Sequence, residues 1–256
     1  MHDIEKPIVI TNYDFSDGDD KPFHHVLLPN DIRMIICGRS GCGKTVLMLN
    51  LVMQYLNWSR FHVYSRTLNQ EKYEYLQDWA TELNREVNED VVSFHSNADD
   101  ILPPENFDKR ERTIMIFDDV LKEKQDPIED YFMRGRHNGV DSFYLCQNYC
   151  HIPKQLIRDN ANMLVLFDQD ARNLQNIHYT FVGGDMDFKE FQTFFTGCVS
   201  KPFGFCVIDK TSEPYAGKYR DGLNRFYIPM NFINQSRIDP IKVKSVVNRS
   251  YEYSIR

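Results

Sequence analysis

Seven short apolar runs punctuate the chain: Ile32–Cys37, Phe61–Ser65, Val91–His95, Thr113–Phe117, Ser142–Gln147, Met163–Phe167 and Phe203–Ile208. Several are continuous rather than alternating, as in strands covered on both faces, and this predicts a largely parallel sheet. Two helical stretches lie among them. Lys44–Leu56 is apolar nearly all round, whereas Asn69–Val87 places Tyr73, Leu76, Ala80, Leu83 and Val87 on one face. Strands alternating with helices specify an α/β three-layer fold. Phe94–Arg112, with Pro103, Pro104 and many acids, reads as a loop feeding the next strand. Beyond Asp209 the periodicity weakens into turns and short strands, and no repeat or low-complexity tract interrupts the chain.

A length of 256 residues with 42% hydrophobic content is enough for one sizeable core and too little for two generous domains. The start, MHDIEKP, lacks the apolar centre of a secretion signal. The longest charge-free apolar stretch, Thr45 to Ser59, is broken by Asn50, Gln54 and Asn57. Neither a leader nor a membrane span is expected, and the protein reads as soluble and intracellular.

Charge is unevenly spread around a net −7. Six acids face two lysines over Met1–Asn30, a balance of −4, and ten Lys/Arg face five Asp/Glu over Lys201–Arg256, a balance of +5. The expected organisation is an acidic flexible segment at 1–25, a catalytic domain at 26–210 and a basic extension at 211–256. An overall acidic chain argues against a nucleic-acid partner. The basic end softens that objection, as a DNA or partner contact or as an ordinary solvated terminus. The six cysteines, at 37, 42, 146, 150, 198 and 206, form no CxxC pair, which fits reduced thiols. Cys146, Cys150 and His151 are close in sequence, yet a structural zinc needs four ligands and no fourth stands nearby.

The sharpest signal is Gly38-Arg39-Ser40-Gly41-Cys42-Gly43-Lys44-Thr45, which fits GxxxxGK[ST] between a strand and a helix. Glycines there let successive backbone N–H groups face phosphate oxygens while the helix aims its positive end at them. Lys44 is expected to reach the β and γ phosphates of ATP, and Thr45 to offer its hydroxyl to Mg²⁺. A second part follows at Ile114-Met115-Ile116-Phe117-Asp118-Asp119, an apolar strand ending in acids. Asp118 is the expected metal-side carboxylate and Asp119 the residue that orients or deprotonates the attacking water. The bland alternative is a pair of helix-capping carboxylates. Gln147, closing another apolar run, has an amide able to contact the γ-phosphate and the water together, although a glutamine there also commonly begins a loop.

With these motifs stand Arg134-Gly135-Arg136-His137, Gln147-Asn148-Tyr149, Ile152-Pro153-Lys154 and Arg158-Asp159-Asn160. Together they resemble the poxvirus-type genome-packaging ATPases, a family of the FtsK/HerA-like branch of P-loop ATPases, over roughly Val26 to Phe167. One departure is that the wider branch carries Asp-Glu where this chain has Asp118-Asp119, which puts a shorter side chain in the base position. The resemblance implies a RecA-like fold in which the strand ending at Gln147 lies between the P-loop strand and the strand ending at Asp118. It implies ATP hydrolysis with Mg²⁺, driving double-stranded DNA into a preformed capsid by way of capsid or portal-vertex proteins. Assembly would take place in host cytoplasm or nucleus. It further implies a homo-oligomeric ring, a hexamer or pentamer, in which a neighbour's arginine completes the site. Arg136 and Arg158 are the candidates and Arg134 a third, each equally readable as a surface salt-bridge partner. Three other readings stand beside this one: a cellular or plasmid DNA-pumping ATPase, a regulatory P-loop switch and a small-molecule kinase.

Overall fold

The computed structural model describes residues 24–233. Nine strands form one sheet: β1 (Arg33–Cys37), β2 (Arg60–Ser65), β3 (Val92–His95), β4 (Thr113–Asp118), β5 (Val140–Cys146), β6 (Met163–Leu166), β7 (Cys206–Asp209), β8 (Tyr219–Asp221) and β9 (Arg225–Tyr227). Their order is β3-β2-β4-β5-β1-β6-β7-β8-β9. The first six are mutually parallel and the last three run antiparallel from β6 outward. The α/β class, the mainly parallel sheet and the insertion of β5 between β1 and β4 all agree with the sequence reading.

Among the described residues six α-helices accompany the sheet: α1 (Lys44–Gln54), α2 (Glu71–Val87), α3 (Asp126–Arg134), α4 (Ala171–Ile177), α5 (Phe188–Val199) and α6 (Met230–Ile233). Side chains alternate across each central strand, so two cores form. Met34 and Ile36 of β1, Ile114 and Ile116 of β4, and Phe143 and Leu145 of β5 meet Met48, Leu51 and Val52 of α1 and Tyr73, Leu76 and Ala80 of α2. On the other face Ile35 and Cys37, Met115 and Phe117, and Tyr144 and Cys146 meet Ile128, Tyr131 and Phe132 of α3 and Phe191 and Phe195 of α5. Covered on both sides, these strands have no polar alternation to show, which is why they read as unbroken apolar runs.

A buried ion cluster fixes the lower, N-terminal edge of the central strands. The Asp141 carboxylate accepts the Ile32 N–H at 2.6 Å and Arg112 at 3.1 Å, and its second oxygen also meets His24 Nε2 at 2.9 Å. Such a site is costly to break from one side only, because the remaining charge is left buried without its partner.

Differences from the sequence reading are local. The run expected as a strand at Phe203–Ile208 becomes extended only at Cys206, since Phe203 takes a left-handed backbone, φ 59°. α1 is not buried all round: Val46 and Met53 are 58% and 49% exposed, because a helix lying on a sheet has only one face to bury. The boundary placed at residue 210 falls between β7 and β8, inside the sheet. Most of the acidic segment at 1–25, and the last part of the basic extension, lie outside the described residues. Among the described residues no helix is long and apolar enough to cross a membrane.

At the β2–β3 edge His62 is 9% exposed and its ring stacks on His95. Burial, with the neighbouring His95 and Arg60 charges, lowers its pKa from 6.5 to about 4. Above pH 6.5 the ring is neutral folded or unfolded, so the depressed pKa has no effect on stability. Below it the unfolded chain binds a proton that the folded chain refuses until about pH 4, and stability falls with pH. Denaturant unfolding of wild type and His62→Phe at pH 7 and pH 5 should show wild type losing ~2 kcal/mol more than the variant.

Candidate functional site

The loop between β1 and α1 lies at the upper edge of the sheet, where the parallel strands end. Gly38 donates its N–H to the Cys146 carbonyl at 3.1 Å, which pins the loop to the end of β5. A Cβ on Gly38 would stand 2.6 Å from the Phe167 Cβ and 2.7 Å from the Cys42 Sγ, so no larger residue fits. Gly41 and Gly43 take φ of 75° and 106°. Gly43 is the N-cap of α1 and no side chain caps the helix. The first N–H groups of α1 therefore present the positive end of the helix to an anion. Lys44 Nζ donates to the carbonyls of Gly38 at 2.6 Å and Arg39 at 3.0 Å, which holds the ammonium over the loop. Arg39 also pairs with Asp168 at 3.0 Å, both side chains well exposed, and such a pair contributes little.

Asp118, the last residue of β4, is 7% exposed. One of its oxygens accepts the Tyr73 hydroxyl at 2.5 Å and the Thr45 hydroxyl at 3.5 Å. Burial, and then the negative Asp118 alongside, pushes the Tyr73 phenol up, so it stays a proton donor. The carboxylate thereby joins β4 to α1 and α2. Asp119 turns away from it, exposed and with a left-handed φ of 58°. Gln147 follows the last residue of β5. One cleft is lined by Ser40, Gly41, Gly43, Lys44, Thr45, Asp118, Asp119 and Gln147, and also by Thr67, Gln70 and Phe203. The predicted loop, both acids and the glutamine thus come together. Tyr73, Thr67, Gln70 and Phe203 were not foreseen as site residues. In the sequence Tyr73 is one more apolar position on α2, since its phenol reaches the site only through the tertiary packing of that helix.

A divalent cation of the magnesium type fits this donor set. One hydroxyl and one carboxylate suit an ion that keeps several waters and takes phosphate oxygens, rather than one needing an all-protein cage. Among the described residues no three His, Cys, Asp or Glu side chains come together as metal ligands.

The arginines lie elsewhere. Arg134 and Arg136 precede β5, so they flank the start of the strand whose far end carries Gln147. Arg134 pairs with Asp130 and Arg136 is exposed. Arg158 is only 9% exposed, with its guanidinium 4.9 Å over the Tyr149 ring and an Nη1 contact to Asn176 at 3.5 Å. It is turned into its own subunit because Tyr149 and α4 enclose it.

Known proteins bear on this geometry. A family model described as Poxvirus A32 protein matches residues 21–183. The DNA packaging protein OPG160 of monkeypox virus is 26% identical over 160 residues, covering 59% of this chain and 52% of that protein. The protein of the same description from vaccinia virus (strain Copenhagen) is also 26% identical over 160 residues, covering 58% of its length. The chain thus spans about half the length of the curated relatives it matches. The genome packaging NTPase B204 from Sulfolobus turreted icosahedral virus 2, solved in complex with sulfate, superposes with a TM-score of 0.50 at 15% identity, covering 73% of this chain and 94% of that one. That likeness is one of fold.

The backbone at Asp119 is itself testable. Alanine has a Cβ that makes the left-handed conformation costly and glycine has none. Asp119→Gly should be more stable than Asp119→Ala by about 1 kcal/mol in denaturant unfolding, although both lose the carboxylate.

Proposed function

The chain belongs to the poxvirus A32 protein family, and from that premise we propose that it is an ATP-hydrolysing motor that moves double-stranded DNA into a capsid during virion assembly in the infected cell. The observation that carries this reading is the convergence of the Gly38–Thr45 loop, Asp118, Asp119 and Gln147 on one cleft. A protein that only binds nucleotide needs the loop, whereas the exposed carboxylate and amide opposite it suit the positioning of a water.

In this reading the triphosphate lies along the loop, its oxygens met by backbone N–H groups and by Lys44 swung from the carbonyls of Gly38 and Arg39. When bound, Mg²⁺ supplies positive charge to the phosphate oxygens that become more negative during transfer. Thr45 and Asp118 would hold it, and Tyr73 keeps the Asp118 carboxylate in place. Asp119 accepts the proton of the attacking water and Gln147 orients it. Contact with DNA is through phosphates and carries little base reading, so the choice of genome rests with partner proteins.

Completion of the site by a neighbouring subunit in a hexameric or pentameric ring also belongs to this reading. With Arg158 enclosed and Arg134 paired with Asp130, exposed Arg136 is the candidate we favour for serving a neighbour, from the opposite end of β5. An arginine supplied in trans is worth 10³–10⁵ in rate, of order, because it stabilises charge on the transferring group.

Three outcomes follow. Purified protein should hydrolyse ATP faster with duplex DNA, with stimulation that fades steeply with salt and is indifferent to sequence. Stimulation by single strands alone would instead indicate a helicase. Lys44→Ala should abolish turnover, while Asp119→Asn should bind ATP in a filter or calorimetric assay and lose about 10²–10⁴-fold in turnover. Arg136→Ala and Asp119→Asn subunits, each inactive alone, should regain activity when mixed. A mixture that stays inactive, with a rate per subunit unaffected by dilution, argues for a site complete within one chain.

A further inference from the structure

Phe203 is at odds with its surroundings in two ways. It is 72% exposed, although it is a large apolar side chain in the short connection between α5 and β7. Its backbone is also left-handed, φ 59°, a conformation that bulky residues adopt only as outliers. The next aromatic, Phe205, does the ordinary thing and packs inward, its ring 5.5 Å from that of Phe167.

The turn that projects Phe203 is tightly determined. Gly204 donates its N–H to the Lys201 carbonyl at 2.9 Å, and a Cβ on Gly204 would stand 2.3 Å from the Cys198 carbonyl oxygen. The turn between α5 and β7 places the Phe203 ring beside the phosphate loop. A Cβ built on Gly43 would lie 3.3 Å from Phe203 Cδ1, and Phe203 lines the same cleft as Lys44 and Thr45. Exposure and backbone strain both cost stability, and such costs persist where the residue is used.

We propose that Phe203 is the platform on which the base of the bound nucleotide stacks. The inference rests on the reading of Gly38–Thr45 as a nucleotide-phosphate loop and adds the part of the ligand which that loop cannot hold. An aromatic ring beside a phosphate cradle offers a base its π-face, and stacking tolerates any base. Phenylalanine has no hydrogen-bonding group, so the contact supplies affinity without distinguishing adenine from guanine. The ligand class is a nucleoside di- or triphosphate, with its phosphates on the loop and its base against the ring.

Calorimetric titration of the full chain with ADP, GDP and inorganic tripolyphosphate separates the two parts of the ligand. Phe203→Ala should weaken ADP and GDP by a similar factor, about 5- to 100-fold, and leave tripolyphosphate unchanged. Phe203→Trp should retain nucleotide affinity, and its added indole emission should change with ADP but not with tripolyphosphate. Equal weakening of all three ligands by Phe203→Ala would show that the residue merely shapes the loop, and unchanged ADP affinity would show that the base lies elsewhere. Either result overturns the proposal. Wild type that binds neither nucleotide nor tripolyphosphate would overturn the nucleotide reading itself rather than the part given to Phe203.

Discussion

The arrangement at the upper edge of the sheet depends on a carboxylate that has been taken out of water. Asp118 ends a strand covered on both faces, and hydroxyl donors that reach it help to support a charge in that position. The Thr45 hydroxyl comes from the first turn of α1 and the Tyr73 phenol from α2, so satisfying one charge sets the positions of two helices. Since α1 begins at the phosphate loop, the loop's distance from the end of β4 is fixed by the same contact. Asp119 is under the opposite regime. It is exposed and held in an unfavourable backbone conformation, so one residue of the pair is secured by its partners and its neighbour is left facing the cleft.

Much of this was legible in the sequence, and the reason is physical. A strand buried on both faces must be apolar throughout, so β1, β4 and β5 announced themselves, as did the loop whose glycines answer to backbone geometry at Gly38, Gly41 and Gly43. The adjacency of β5 and β1 came from family resemblance rather than from periodicity, which is silent on strand order. α3 and α5 are absent from the sequence reading although their buried residues keep helical spacing, Ile128, Tyr131 and Phe132 in α3 and Phe191, Phe195 and Cys198 in α5.

The residues that sequence misplaced are those whose roles depend on tertiary direction. A tyrosine on an apolar helix face reads as core, and Tyr73 is core, yet its hydroxyl ends at the Asp118 carboxylate. An arginine in a polar segment reads as exposed, whereas Arg158 lies over Tyr149. Phe203 lies inside an apolar run that reads as strand, and the tight turn that carries it out of the sheet has room for no Cβ at Gly204.

The strand order has a consequence for how the chain acquires its structure. β1 comes first, but its two sheet neighbours are β5 and β6, at residues 140–146 and 163–166. During synthesis the most apolar part of the site therefore has both edges open until more than a hundred later residues have emerged. Contacts this distant in sequence form slowly, and an unpaired apolar strand is an aggregation hazard while it waits. A ribosome stalled before β6 would hold a nascent chain with an intact loop sequence and one of the two strands that flank β1 still missing. The loop between β1 and α1 thus gains both of the strands that flank its base only late in translation.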